Sequence, residues 1–188
     1  MTRRVWLTFD DGPLPEATAP ILWVLAAYDI RACFFVLGRW AERYPVLLER
    51  AVAAGHRVGS HSYDHPHMTQ LTDRAARAQL VRTDAAIGYL MGAERLYRPP
   101  YGDHDARIGA MVEALGYRTV LWTVDSHDWD PLRQDGSWVE ATLERMRDLD
   151  DCTVLAHDIY ASTAAHLDRF IRGVKSLGDV VFQEPASL

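Results

Sequence analysis

Seven short apolar runs, near residues 4–9, 32–37, 57–60, 95–98, 118–124, 152–156 and 179–183, alternate along this chain with helix-length amphipathic segments. Strand followed by helix, with no linker or repeat between units, implies parallel strands joined by right-handed crossovers. The expected fold is therefore α/β, a single domain over residues 1–188. A full eight-unit (β/α) barrel typically takes about 250 residues, so a distorted or incomplete barrel of about seven strands is expected. A doubly wound open sheet is the competing architecture.

The helix signals are local. Pro45 and Gly55 bracket residues 46–54 as start and stop. Thr72 opens a segment with Ala76, Leu80, Ile87 and Met91 along one stripe. Ile108, Met111, Val112 and Leu115 follow the i, i+3, i+4, i+7 rule, and Gly116 ends them. Ser137 and Glu140 read as a capping box ahead of Leu143 and Met146. Leu167, Phe170, Ile171 and Val174 form a last stripe, closed by Gly178.

Composition narrows the class. Hydrophobic residues make up 48% and charged residues 24%, as in ordinary soluble domains. The net charge of −6 argues against a nucleic-acid partner, which calls for a basic face. Cys33 and Cys152 each adjoin an apolar run and read as buried free thiols. After Met1-Thr2-Arg3-Arg4 the first acidic residue, Asp10, arrives too soon for a signal peptide or a membrane span. As written the chain is expected in the cytoplasm, or outside the cell if a leader has been removed.

Chemistry gathers where the strands stop. Asp10-Asp11, His61, Arg98, Asp125 and His157 all fall at or just beyond the C-terminal ends of the apolar runs, the face that carries the active site in such folds. Val5-Trp6-Leu7-Thr8-Phe9 stops at Asp10-Asp11-Gly12-Pro13. Two adjacent carboxylates at a sheet rim call for a cation nearby. His61 and His65, which flank three residues in His61-Ser62-Tyr63-Asp64-His65, offer imidazoles for a metal, with Asp11 as third ligand and one position open to water. Neighbours in an extended chain point opposite ways, so Asp10 is left as general base. Arg98, in Arg98-Pro99-Pro100-Tyr101-Gly102, is expected to hold Asp10 by a two-pronged ion pair and depress its pKa. The Pro-Tyr-Gly turn could aim a backbone N–H at an oxyanion. Asp125 paired with His157 would keep the imidazole protonated as a general acid, with Asp158 pointing away. His67 reads as a rim residue; Trp40, Tyr63, Trp138 and Tyr160 are possible sugar-stacking rings.

Read in order, Thr8-Phe9-Asp10-Asp11-Gly12, His61-Ser62-x-x-His65, Arg98-x-Pro100-Tyr101, Asp125-x-x-Asp128-Trp129 and Leu155-x-His157 resemble the five motifs of the polysaccharide deacetylases. This is the NodB-homology domain of carbohydrate esterase family 4. The resemblance implies a divalent metal on Asp11, His61 and His65, commonly Zn2+, although Co2+, Mn2+ or Ni2+ also suit such ligands. It implies Asp10 as base, Arg98 as its orienter, the Tyr101 amide at the oxyanion and Asp125 tuning the acid His157. Trp129 and Leu155 would wall a pocket for the acetyl methyl group. The distorted barrel of that family also suits the length. His67-Met68 stands where members often have Asn then Leu, which touches the rim of the sugar groove and not the metal.

The function expected is hydrolysis of the acetamide of N-acetylglucosamine units in chitin oligosaccharides or related glycans such as peptidoglycan, releasing acetate. The N-acetylated glycan is the expected partner. The alternatives are a hydrolase of small non-sugar amides on the same fold and a non-catalytic glycan-binding module. A glycosidase using Asp10 and Asp11 would leave His61, His65 and Arg98 unexplained.

Overall fold

The structure is a computed structural model that describes residues 2–184. In chain order it runs β1 (Arg3–Asp10), α1 (Pro15–Ala27), β2 (Cys33–Val36), α2 (Gly38–Arg43), α3 (Pro45–Ala53), β3 (Arg57–Ser60), α4 (Asp73–Ile87) and β4 (Arg95–Tyr97). It continues through α5 (Ala106–Ala114), β5 (Tyr117–Thr119), β6 (Val124–Asp125), α6 (Trp138–Met146), β7 (Asp151–His157), α7 (Ala161–Ser176) and β8 (Val180–Phe182).

Every strand pairing is parallel, in the order β5-β4-β3-β2-β1-β7-β6. β1 is the hub. β7 takes one of its edges over Arg4–Asp10, while the other edge is shared by β8 opposite Arg3–Val5 and β2 opposite Thr8–Asp10. The expected distorted barrel is what forms, in place of the doubly wound sheet. The apolar run at 118–124 is two strands: β5 pairs with β4, and β6 pairs with β7, at opposite ends of the strand order. Val120 to Thr123 carries the chain between those ends, so the sheet curls without a ladder at the seam. The seam keeps its hydrogen bonds singly: the Val120 amide donates to Tyr97, and Thr123 donates to Thr153.

Strand side chains alternate between two buried faces, which is why the runs are apolar throughout. Val5, Leu7 and Phe9 of β1 and Phe34 and Val36 of β2 join the main core with Ile21, Leu25, Trp138, Leu167 and Phe170 from the helices. The alternate residues Cys33 and Phe35 pack inside the barrel with Leu96 and Val120. A third cluster sits under α4 and α5, around Leu80, Tyr97, Ile108 and Val112. Each fully buried Leu, Ile or Phe stabilises the fold by about 1.5–3 kcal/mol. Both cysteines are free and buried.

The helix boundaries follow local chemistry in most places. Pro45 occupies the first turn of α3, and Thr72 caps α4 by accepting from the Ala75 amide. The capping box at Ser137 does not form. Ser137 already has helical φ and ψ of −64° and −11° and makes no side-chain cap, while Asp135 accepts from its amide. α1 escaped the periodicity signal because Pro20 lies inside it and apolar residues surround much of its circumference. No helix among the described residues is long and apolar enough to cross a membrane.

Candidate active site

The parallel register places the C-terminal strand ends level with one another. Asp10 lies opposite His157 on β7 and Phe35 on β2; Ser60, just before His61, lies opposite Tyr97, just before Arg98. Residues up to 147 positions apart thus meet at one end of the barrel. Six described non-glycine residues have positive φ, and five of them, Asp11, Ser62, His65, Tyr101 and His127, belong to this end. Such left-handed conformations are costly for L-residues and cluster where the surrounding structure enforces a particular geometry.

Asp11 shows what that geometry achieves. Its φ of 77° breaks the strand alternation that would have turned it away from Asp10. Both carboxylates consequently face His61, whose Nε2 is 3.6 Å from Asp10 Oδ2 and 3.5 Å from Asp11 Oδ1. His65 Nε2 lies 3.3 Å from the same Asp11 oxygen. The His61 Nδ1–H donates to the Arg98 carbonyl at 2.7 Å, which leaves the Nε2 lone pair free toward Asp11.

Burial drives the His61 pKa down to about 3, more than the carboxylate of Asp11 can offset. His65 is also pushed down, chiefly by burial. The ligand-capable atoms of Asp11, His61 and His65 all lie within 4.8 Å of one another. Among the described residues, buried Asp11 Oδ1 accepts no hydrogen bond, an orphan that native proteins rarely tolerate. Two neutral imidazoles and an orphaned carboxylate oxygen fit a divalent cation such as Zn2+.

Asp10 is held from below. Arg98, fully buried, donates through Nη1 to Asp10 Oδ1 at 2.8 Å and to Thr8 Oγ1 at 2.7 Å. The pair has one prong, because the rest of the guanidinium serves the barrel seam: Nε donates to the Val120 carbonyl at 3.1 Å and Nη2 to that of Leu121 at 3.2 Å. Its Cζ lies 4.2 Å from the Phe35 ring centre. The expected depression of the Asp10 pKa is reversed: burial raises it, and the nearby Arg98 and His157 only partly compensate.

The partner of His157 is Asp128 and not Asp125. The Nδ1 of His157 is 2.6 Å from Asp128 Oδ1, its amide donates to Asp128 Oδ2 at 2.8 Å, and Thr163 donates to the same oxygen at 2.6 Å. Asp125 accepts instead from the amide of His127 at 2.8 Å and lines the cavity wall. The reason is the turn after β6: His127, with φ of 54°, reverses the chain and sends Asp128 beneath β7. Burial alone would lower His157, but the ionised Asp128 and its hydrogen bond raise it to about 9. Against its own burial, Asp128 is held below the usual carboxylate range by His157 and Thr163. Asp158, adjacent in sequence, does point away. It accepts from the Gly12 amide at 2.9 Å and the Thr18 hydroxyl at 2.7 Å. A Cβ on Gly12 would sit 2.0 Å from an Asp158 oxygen, so only glycine fits the turn after Asp11.

These groups line a cavity of about 510 Å3 whose walls include Asp10, Asp11, His61, His65, Tyr101, Asp125, Trp129, Leu155 and His157. Arg98 lies beneath it. Trp122 and Tyr160 complete the wall. Sequence reasoning missed Trp122, which sits on the seam between β5 and β6, and treated Tyr160 only as a possible stacking ring. Thr8, Asp128 and Thr163 were missed as supports; the Asp128-Trp129 pair was visible, but spacing alone could not choose between two aspartates. His67 is a rim residue, stacked on Tyr101 with ring centres 4.1 Å apart. Trp138 is fully buried against Phe170 and is no sugar platform. The Tyr63 hydroxyl is engaged by Glu42.

Comparison with known proteins identifies the family. The family model described as polysaccharide deacetylase matches residues 1–120. A peptidoglycan-N-acetylglucosamine deacetylase of Listeria monocytogenes is 36% identical over 180 residues, covering 94% of this chain and 37% of its own length. A chitooligosaccharide deacetylase of Rhizobium leguminosarum bv. trifolii is 36% identical over 159 residues, covering 83% of this chain and 72% of its own. The chain thus spans little more than a third of the Listeria relative. A family 4 carbohydrate esterase of Streptomyces lividans, solved with acetate, superposes with a TM-score of 0.83 at 34% identity, covering 96% of this chain and 91% of that one.

Proposed function

This chain belongs to the polysaccharide deacetylase family, and from that premise we propose that it is a metal-dependent N-deacetylase of N-acetylglucosamine units in glycans. The observation that carries this reading is one cavity holding two oppositely tuned histidine systems. His61 and His65 are kept neutral beside the orphaned Asp11 oxygen, and His157 is kept protonated by Asp128.

Asp11, His61 and His65 would hold a divalent cation, Zn2+ the first choice, which would supply Lewis-acid polarisation of the amide carbonyl and acidify water. Asp10, oriented by Arg98, takes a proton from the attacking water. The backbone amide of Tyr101 hydrogen-bonds the developing oxyanion. His157 gives its proton to the departing nitrogen as the C–N bond breaks and a C–O bond has formed. Trp129 and Leu155 enclose the acetyl methyl group. Acetate and a free sugar amine result. The printed activities of the relatives, on peptidoglycan and on chitooligosaccharides, support N-acetylglucosamine as the shared unit.

The test is incubation of zinc-loaded protein with penta-N-acetylchitopentaose and with solubilised peptidoglycan glycan strands, reading acetate and the mass change of acetyl replaced by hydrogen. Acetate release that stops with chelator and returns with metal is expected. New reducing ends without acetate would instead point to glycosidic cleavage and end the deacetylase reading.

A further inference from the structure

A second cavity of about 340 Å3 opens beside the first and shares Asp11, His65 and Tyr101 with it. Its far wall is Arg39 and Trp40, at the start of α2. The guanidinium of Arg39 lies over the Trp40 ring, 5.0 Å from its centre, and Trp40 in turn stacks on Tyr44 with centres 6.3 Å apart. Trp40 is half-buried and Arg39 exposed. Among the described residues Arg39 has no hydrogen bond or ion pair from its side chain; its contact is the indole face. Asp64, on the same wall, has its Oδ1 taken by the Gln79 amide at 2.7 Å.

An arginine resting over an aromatic ring, with its N–H fork unspent, is available to a planar anion. The ring edge beside it offers an apolar surface to a sugar face. Because the two cavities share His65 and Tyr101, a glycan whose acetamide enters the first can extend its neighbouring residue over that ridge into the second. We propose that the Arg39–Trp40 cavity binds a carboxylate-bearing sugar adjoining the N-acetylglucosamine unit, so that the enzyme favours acidic glycans over neutral chitooligosaccharides. This rests on the deacetylase reading above and specifies its substrate class.

The carboxylate has two chemical sources, a lactyl ether on a neighbouring amino sugar or a uronic acid, and the experiment separates them. Four tetrasaccharides are compared: alternating N-acetylglucosamine and N-acetylmuramic acid, the same molecule with its lactyl carboxylates reduced to alcohols, alternating N-acetylglucosamine and glucuronic acid, and tetra-N-acetylchitotetraose. Binding is read by calorimetry and turnover by acetate release, for wild type, Arg39→Gln and Arg39→Lys.

The expected result is that one acidic tetrasaccharide binds about tenfold tighter than its neutral counterpart, the size of a charge-assisted hydrogen bond. Arg39→Gln removes that preference through Kd and KM, leaves kcat alone and does not alter the neutral substrate; Arg39→Lys restores part of it. Wild type that binds acidic and neutral chains equally, or an Arg39→Gln change equal on both, overturns the proposal. If no tetrasaccharide is deacetylated, the functional reading fails, and the calorimetric preference still decides whether Arg39 selects a carboxylate.

Discussion

Two histidines at the mouth of one barrel are driven in opposite directions. His61 is lowered to about 3 and His157 is raised to about 9. Both are substantially enclosed, and both use Nδ1 to meet an oxygen, at 2.7 Å for His61 and 2.6 Å for His157. The difference is the oxygen. His61 donates to a neutral backbone carbonyl, that of Arg98, so burial prevails and the ring stays uncharged. His157 faces the ionised carboxylate of Asp128, and its attraction overcomes burial. One residue type is thus suited either to ligation or to acid catalysis, and the oxygen that its Nδ1 meets selects which.

The largest effect expected is on the ligand side. Asp11→Asn removes the carboxylate proposed to bind the metal; metal retained in equilibrium dialysis should vanish, and acetate release should fall to that of chelated wild type. Full metal occupancy in this variant would remove Asp11 from the ligand set.

On the acid side the metal should stay while the chemistry stops. His157→Ala is expected to slow turnover by about 100- to 10,000-fold with metal content unchanged, and Asp10→Asn by a similar factor. Near wild-type turnover in either would cancel the role assigned to it.

Exchanging the oxygen is the direct assault on the comparison. With the His157 pKa at about 9, the alkaline limb of turnover in wild type should lie there, activity being lost as pH rises and the imidazolium deprotonates. Asp128→Asn should move that limb down to the ordinary 6.5 or below, a loss of at least about thirtyfold at pH 8. Asp125→Asn should leave the limb in place, and a limb that moves with Asp125 instead would restore the pairing expected from sequence. Stability follows the same sign. A raised histidine pKa contributes in full below the unfolded value, about 6.5, and its contribution is lost as pH climbs through the folded value. Urea midpoints of wild type and His157→Ala should therefore converge at alkaline pH.

The smallest effect concerns the support behind Asp128. Thr163→Val deletes one hydrogen bond to its Oδ2, at a cost of about 0.5–1.5 kcal/mol in unfolding free energy. Losing that donor should also leave Asp128 less readily ionised, and shift the alkaline limb by less than Asp128→Asn does.

Much of the site was legible because strand ends are marked by an abrupt change from apolar to ionisable residues. Asp10-Asp11, His61, Arg98 and His157 each follow an apolar run, and parallel pairing brings such ends together without further information. Legibility failed where the backbone leaves regular structure. Alternation predicted opposite directions for Asp10 and Asp11, but positive φ at Asp11 turns both inward. The turn at His127 decided between two aspartates three residues apart. The seam between β5 and β6 recruited Arg98 to two carbonyls, and so reduced its grip on Asp10 to one prong.

Sequence by itself determined the alternating architecture, the face that carries chemistry and the residue types available there, since these depend on hydrophobic period and strand order. Only the tertiary structure decided which oxygen each histidine meets, how deeply Asp10 is buried and that a second cavity, walled by Arg39, lies beside the first. Protonation and ligand preference depend on distances of a few ångströms and on local solvent exclusion. Residue spacing along the chain encodes neither.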